Sequence, residues 1–192
     1  MDTFAFRRRD LLVRLHVFEI DHPATQAFKR NRITALGWEI PGHLHLVSLD
    51  FTKEKLDAIL KCPPYDPRAL TFFSWLGVTY YLSRDTVFDT LGAVARISSR
   101  GSMIVFDYLD PNVYSTEKAA ERVKAVMDSL QSLGEPLKGG FDPSTLDSDL
   151  ARIGFSLQEN LTPSDIGQRY FEGRTDGYRA SQHIHFALAA VK

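Results

Sequence analysis

Short apolar runs alternate with longer amphipathic stretches along this chain. Residues 15–20 (LHVFEI) form an apolar run that ends in Asp21-His22-Pro23, and a proline there can only open a helix or a turn. The run predicts a strand. Behind it, residues 24–36 set Ala27, Phe28 and Ile33 among Gln, Lys and Arg, with Gly37 as the stop, which predicts a helix. The alternation then repeats. A strand is expected over 44–49 (LHLVSL), closed by Asp50, and a helix over 53–61, broken by Cys62-Pro63-Pro64. Strand 70–75 (LTFFSW) precedes a helix over 84–97 with Ser83 as its cap, and strand 103–108 (MIVFDY) precedes a helix over 116–133 that Gly134 ends. Residues 143–153 read as a helix, 155–160 as a strand, 163–170 as a short helix and 184–191 (IHFALAAV) as a final strand.

Strands alternating with helices of about 10–15 residues specify an α/β fold: a doubly wound, mostly parallel, Rossmann-like sheet with helices on both faces. A length of 192 residues fits one domain spanning 1–192. The last two strands are separated by irregular sequence containing Gly167, Gly173 and Gly177, the kind of segment a specialised loop uses.

Composition narrows the function classes. The chain is 44% hydrophobic and 24% charged, as in an ordinary globular protein, and no stretch approaches the roughly 20 apolar residues of a membrane span. A net charge of -1 gives no electrostatic case for nucleic-acid binding. Arg7-Arg8-Arg9, flanked by Asp2 and Asp10, reads as the solvated end of a short amphipathic helix. The single cysteine, Cys62, excludes an internal disulfide and suggests a reducing, cytoplasmic setting; no signal-peptide pattern opens the chain.

In an open parallel sheet, ligands bind outside the carboxyl ends of the strands. Here those positions carry acids. The first strand ends Glu19-Ile20-Asp21, and an acid at that place in a nucleoside-binding fold accepts hydrogen bonds from ribose hydroxyls. Two-residue spacing puts Glu19 and Asp21 on one face, so spacing does not choose between them; the tip position favours Asp21. The next strand ends Asp50-Phe51, where a carboxylate can accept the exocyclic amine of an adenine while the aromatic packs near the ring. Each acid has a structural alternative as a cap or turn residue, and Asp21 before Pro23 suits a cap. Other constellations are weaker. His43-x-His45 and His183-x-His185 each supply only two imidazoles, Ser74 lacks a nucleophile elbow, and Tyr80-Tyr81 reads as core and cleft lining. No metal site and no catalytic residue is nominated.

Several segments resemble the leucine carboxyl methyltransferase-like family of class I S-adenosylmethionine-dependent methyltransferases. VFEIDHPATQAFKRNRI (17–33) resembles its second strand and following helix, TFFSWLGVTYYLSRDTV (71–87) its fourth-strand segment, MDTFAFR the residues after its glycine loop, and YFEGRTDGYR (170–179) its late loop. The resemblance implies S-adenosylmethionine as cofactor. It implies ribose at Asp21, adenine at Asp50 and Phe51, and the methionine end beside Leu76, through main chain only because some relatives carry glutamate there. At the start, Asp2-Thr3 is what remains beside the glycine loop, which makes Asp2 a further cofactor-binding candidate.

The resemblance further implies methyl transfer to a carboxylate or hydroxyl oxygen of a small molecule or protein. Two alternatives stand beside it: a truncated, non-catalytic fragment of that fold, and an NAD-dependent oxidoreductase. The family's first strand and Gly-x-Gly turn are expected to precede Met1. With that central strand missing, strands 15–20 and 70–75 are expected either not to pair or to close up as neighbours. The chain expressed by itself is then expected to be poorly stable and to bind S-adenosylmethionine weakly or not at all.

Overall fold

The computed structural model describes residues 2–59, 64–115, 121–132 and 137–192; the expected helix ends at 60–61, 116–120 and 133, and Cys62, Pro63 and Gly134 of the expected breaks, lie outside them. The chain divides into two compact units, Met1–Tyr65 and Asp66–Lys192.

In the first unit, a single-turn helix α1 (Phe4–Arg7) and a 3-10 turn (Leu11–Val13) lead into strand β1 (Val17–Asp21). Helix α2 (Pro23–Ala35) follows, begun by Pro23 and ended before Gly37, whose φ of 64° suits a residue without Cβ. Strand β2 (Leu44–Ser48) lies parallel to β1, with Asp21 opposite Ser48. Helix α3 covers only Leu56–Ile59. Its expected first turn is lost because Asp50 accepts the Thr52 N–H and hydroxyl, closing a local turn that competes with the helix. Ala5, Leu12 and Leu44 form the core, with Phe6, Val17 and Leu46 packed against it.

The second unit is a four-stranded sheet in the order β3-β4-β6-β5. Its strands are β3 (Phe72–Trp75), β4 (Met103–Leu109), β5 (Phe155–Leu161) and β6 (Ile184–Val191). β3 is parallel to β4, and β6 is antiparallel to both β4 and β5, so only β6 is reversed. The helices are α4 (Arg84–Ile97), with Ser83 accepting the Thr86 N–H as cap, α5 (Glu121–Ser132), α6 (Leu146–Arg152) and α7 (Pro163–Ile166). α7 runs into a π-helical turn, Gly167–Phe171, where the expected helix continued to 170. One sheet face is densely buried: Ile104, Phe106 and Tyr108 on β4 and Ala187 and Ala189 on β6, with Leu91, Leu146 and Leu150 from the helices also in the core.

β1 and β3 belong to different sheets. Among the described residues no helix is long and apolar enough to cross a membrane.

Candidate functional site

The first unit displays acids at the carboxyl ends of two neighbouring parallel strands. Asp21 is exposed at the tip of β1, and its Oδ1 accepts the His22 N–H at 2.7 Å. It is not the cap of α2: His22 takes that role, its Nδ1 accepting the Ala24 N–H at 3.3 Å. No side chain among the described residues holds the Asp21 carboxylate.

Glu19, two residues earlier, is drawn inward. Its Oε2 pairs with Lys29 Nζ, and both side chains are nearly buried. Burial pushes the Glu19 carboxyl up although Lys29 opposes the shift, and the charges of Asp2 and Asp21 add to the rise. Lys29 also donates to the Asp2 carbonyl at 2.7 Å, while Asp2 Oδ1 accepts the Phe4 N–H at 2.8 Å. Asp2, Glu19 and Asp21 are therefore gathered around one end of β1, with Glu19 the structural member.

Asp50 is more heavily engaged. Oδ1 accepts from Thr52 N at 3.0 Å and Thr52 Oγ1 at 2.6 Å, and Oδ2 pairs with Lys53 at 2.9 Å. These partners, Thr52 before Lys53, hold its carboxyl well below the usual carboxylate range. His22 Nε2 lies 3.9 Å from Oδ2, which ties the two strand ends together. Phe51 sits partly exposed in the same turn. Such an array of acceptors with an adjacent ring can take hydroxyl and amine donors.

Sequence reading passed over Gln26, which is 1% exposed and donates to the carbonyls of Glu19 and Val47, at 2.7 and 3.3 Å, bridging β1 and β2. It also treated the histidines by sequence pairs. His43 and His45 share a stack with His16, whose Nδ1 is 3.0 Å from His45 Nε2. Among the described residues no group of three or more His, Cys, Asp or Glu is arranged to hold a metal ion.

In the second unit, Leu76 follows β3 and is 48% exposed. The next residue, Gly77, donates its N–H to both oxygens of Asp107, at 2.9 and 3.0 Å. Asp107 stands inside β4, 6% exposed, and burial pushes its carboxyl up against those hydrogen bonds. It lines a cleft of about 330 Å³. The signal was present as an acid inside the apolar run MIVFDY. On the opposite face of the sheet, His183 Nδ1 lies 3.2 Å and His185 Nε2 3.7 Å from Asp110 Oδ2, and the His185 ring stacks on Tyr108.

Residues 1–95 match the leucine carboxyl methyltransferase family model. The whole chain is 36% identical to YktD of Bacillus subtilis (strain 168), named as an S-adenosyl-L-methionine-dependent methyltransferase, and spans 63% of it. Among solved structures, the mitomycin 7-O-methyltransferase MmcR is similar over 93% of this chain and 42% of its own, with a TM-score of 0.55 and 14% identity. The O-methyltransferase NcsB1, solved with S-adenosylmethionine and 2-hydroxy-5-methyl naphthoic acid, is similar over 98% of this chain and 46% of its own, with a TM-score of 0.55 and 11% identity. These likenesses establish the Rossmann-like fold of the class I methyltransferases. By sequence, the likeness to the leucine carboxyl methyltransferase family covers residues 1–95, just under half of the chain.

Proposed function

We propose that this protein transfers a methyl group from S-adenosylmethionine to an oxygen of an acceptor, with its two units acting as one methyltransferase domain over residues 1–192. The observation that carries the reading is Asp21: an exposed acid at the carboxyl end of a parallel strand, bonded only to the N–H of its neighbour among the described residues. Its remaining lone pairs suit the two hydroxyls of a ribose. Asp50 and Phe51 would receive the adenine. Asp50 fits less openly than Asp21 because Thr52 and Lys53 already occupy it. Asp2 and Leu76 complete the proposed cofactor contacts. All five residues fall within the stretch matched by the family model, and YktD's name points to the same cofactor.

Bound S-adenosylmethionine would supply an electrophilic methyl group on sulfonium. The chain's own part is to hold the nucleoside, orient the acceptor and exclude water, which can supply most of the acceleration of an in-line displacement. A carboxylate acceptor needs no base, whereas a hydroxyl acceptor must lose a proton. A cytoplasmic setting is consistent with the single cysteine.

The test is saturation-transfer NMR on the protein with S-adenosylhomocysteine and NAD as separate ligands, a readout that detects weak binding. Transfer to the adenosine protons of S-adenosylhomocysteine, with little to NAD, is expected. Transfer to NAD alone, or to neither ligand, would overturn the proposal.

A further inference from the structure

The cleft in the second unit is built differently from the acid-lined end of β1. Asp107 on β4 lies directly opposite Phe186 on β6, and Ile184 and Phe186 project from the less buried face of that strand. Ile166 of α7 and the rings of Tyr170 and Phe171 supply further wall, while Ala180 and Ser181 keep the remaining side narrow in bulk. The cleft therefore stands where β4 and β5 end and β6 begins, the end of an open α/β sheet at which ligands bind. At about 330 Å³ it falls in the size range of small-molecule sites.

Two features give it chemical character. Tyr170 and Phe171 lie on the π-helical turn, a widened helical turn frequent at functional sites. Arg174 stacks on the rings of Phe171 and Tyr178 and pairs with Asp176, which steadies the rim. The other feature is Asp107 itself. It is a buried carboxylate among apolar side chains, bonded by the Gly77 N–H and, among the described residues, paired with no Lys, Arg or His. An unpaired buried carboxylate is costly, and one amide N–H leaves acceptor capacity unused.

We propose that this cleft takes an apolar, uncharged molecule bearing a hydroxyl group, the hydroxyl donating to Asp107, and that it disfavours carboxylates. An alcohol or phenol satisfies the buried acceptor, whereas a second carboxylate would bring a like charge against the buried Asp107. The inference deepens the proposed function, on which it rests: the methyl acceptor is a hydroxyl compound, not an acid, its oxygen taking the methyl as the S–CH3 bond breaks, its proton passing to the Asp107 carboxylate and S-adenosylhomocysteine leaving. Arg179, exposed next to Ala180, could serve an acid, yet it is not part of the cleft lining.

The experiment is calorimetry on the full chain at neutral pH with two probes of matched shape, 4-propylphenol and 4-propylbenzoate. The phenol is expected to bind about tenfold or more tightly than the benzoate. Asp107→Asn keeps an acceptor for Gly77 but removes the charge, and it is expected to abolish the preference. A carboxylate that only positions the Gly77 turn would leave the preference unmoved. Ala180→Trp should block both probes without disturbing the fold, as judged by circular dichroism.

Equal or tighter benzoate binding, binding of neither probe, or a preference that survives in Asp107→Asn would overturn the proposal. So would benzoate binding that disappears in Arg179→Gln. Should Asp107→Asn fail to fold, the parent comparison and Ala180→Trp still decide. Neither measurement involves a nucleoside, so loss of the S-adenosylhomocysteine signal with phenol selectivity intact would sink the cofactor reading and leave the cleft's preference standing.

Discussion

The two units hold themselves together by different means. In Met1–Tyr65 a two-stranded sheet, which is marginal by itself, is clasped by a small apolar cluster and by polar bridges: Gln26 across β1 and β2, and Lys29 on Glu19 and Asp2. In Asp66–Lys192 a four-stranded sheet buries a continuous apolar face under helices. The difference extends to the chemistry. The first unit shows its candidate acid, Asp21, to solvent, while the second encloses Asp107. On the proposed roles, an acid that would meet hydrophilic ribose can stay wet, and one that would choose a neutral partner is served by burial.

The sharpest way to break the comparison is core truncation. Phe106→Ala, at a fully buried site of the second unit, is expected to cost about 3–5 kcal/mol in urea unfolding. Leu44→Ala in the smaller cluster should cost nearer 2 kcal/mol, the low end for such changes. An inverted order would mean that the first unit is not the weaker core.

Lys29→Met tests the polar clasp. Removing one partner of a nearly buried pair leaves Glu19 uncompensated, and a loss of about 3 kcal/mol is expected at neutral pH. The pH dependence has a definite sign. Glu19 is already raised above its unfolded value, so its contribution to stability is present at acid pH and is lost as pH rises through the folded value. The penalty of Lys29→Met should therefore shrink on acidification, and a penalty constant with pH would remove Glu19 from the explanation.

Asp107→Asn should act in the opposite direction. Because burial raises Asp107, the folded state is disfavoured as pH climbs through the folded value. Melting of the variant is expected a few degrees above the parent at neutral pH, with the gap closing toward acid. A variant less stable at all pH values would make Asp107 a structural residue. The smallest effect is expected from Asp50→Ala: a modest loss of discrimination between adenosine and a nucleoside lacking the exocyclic amine. Unchanged discrimination would confine Asp50 to its turn with Thr52 and Lys53.

Much of the fold was legible where local signals agreed with packing. The helix over 84–97 and the strand over 184–191 were read to the residue, since Ser83 does cap α4 and β6 alternates buried and half-buried positions. Readings failed where a side chain captured the backbone. Asp50 shortened α3, and Asp142, accepting from Ser144, pushed the start of α6 to Leu146. The reversal of β6 was illegible because strand direction depends on pairing partners distant in sequence.

For the site, Glu19 and Asp21 could not be separated by spacing, whereas Lys29, ten residues on, separates them by drawing Glu19 inward. Asp107 was missed because an acid within an apolar run reads simply as strand until Gly77, thirty residues earlier, is seen to bond it.

The most direct measurement is saturation-transfer titration of S-adenosylhomocysteine into the protein and its Asp21→Ala variant, followed on the ribose and adenine protons. A ribose contact to a charged acceptor corresponds to a loss of about tenfold or more in affinity, with the melting temperature unchanged because Asp21 is exposed and caps nothing. Equal affinity in parent and variant would contradict the claim that the end of β1 holds the cofactor's ribose.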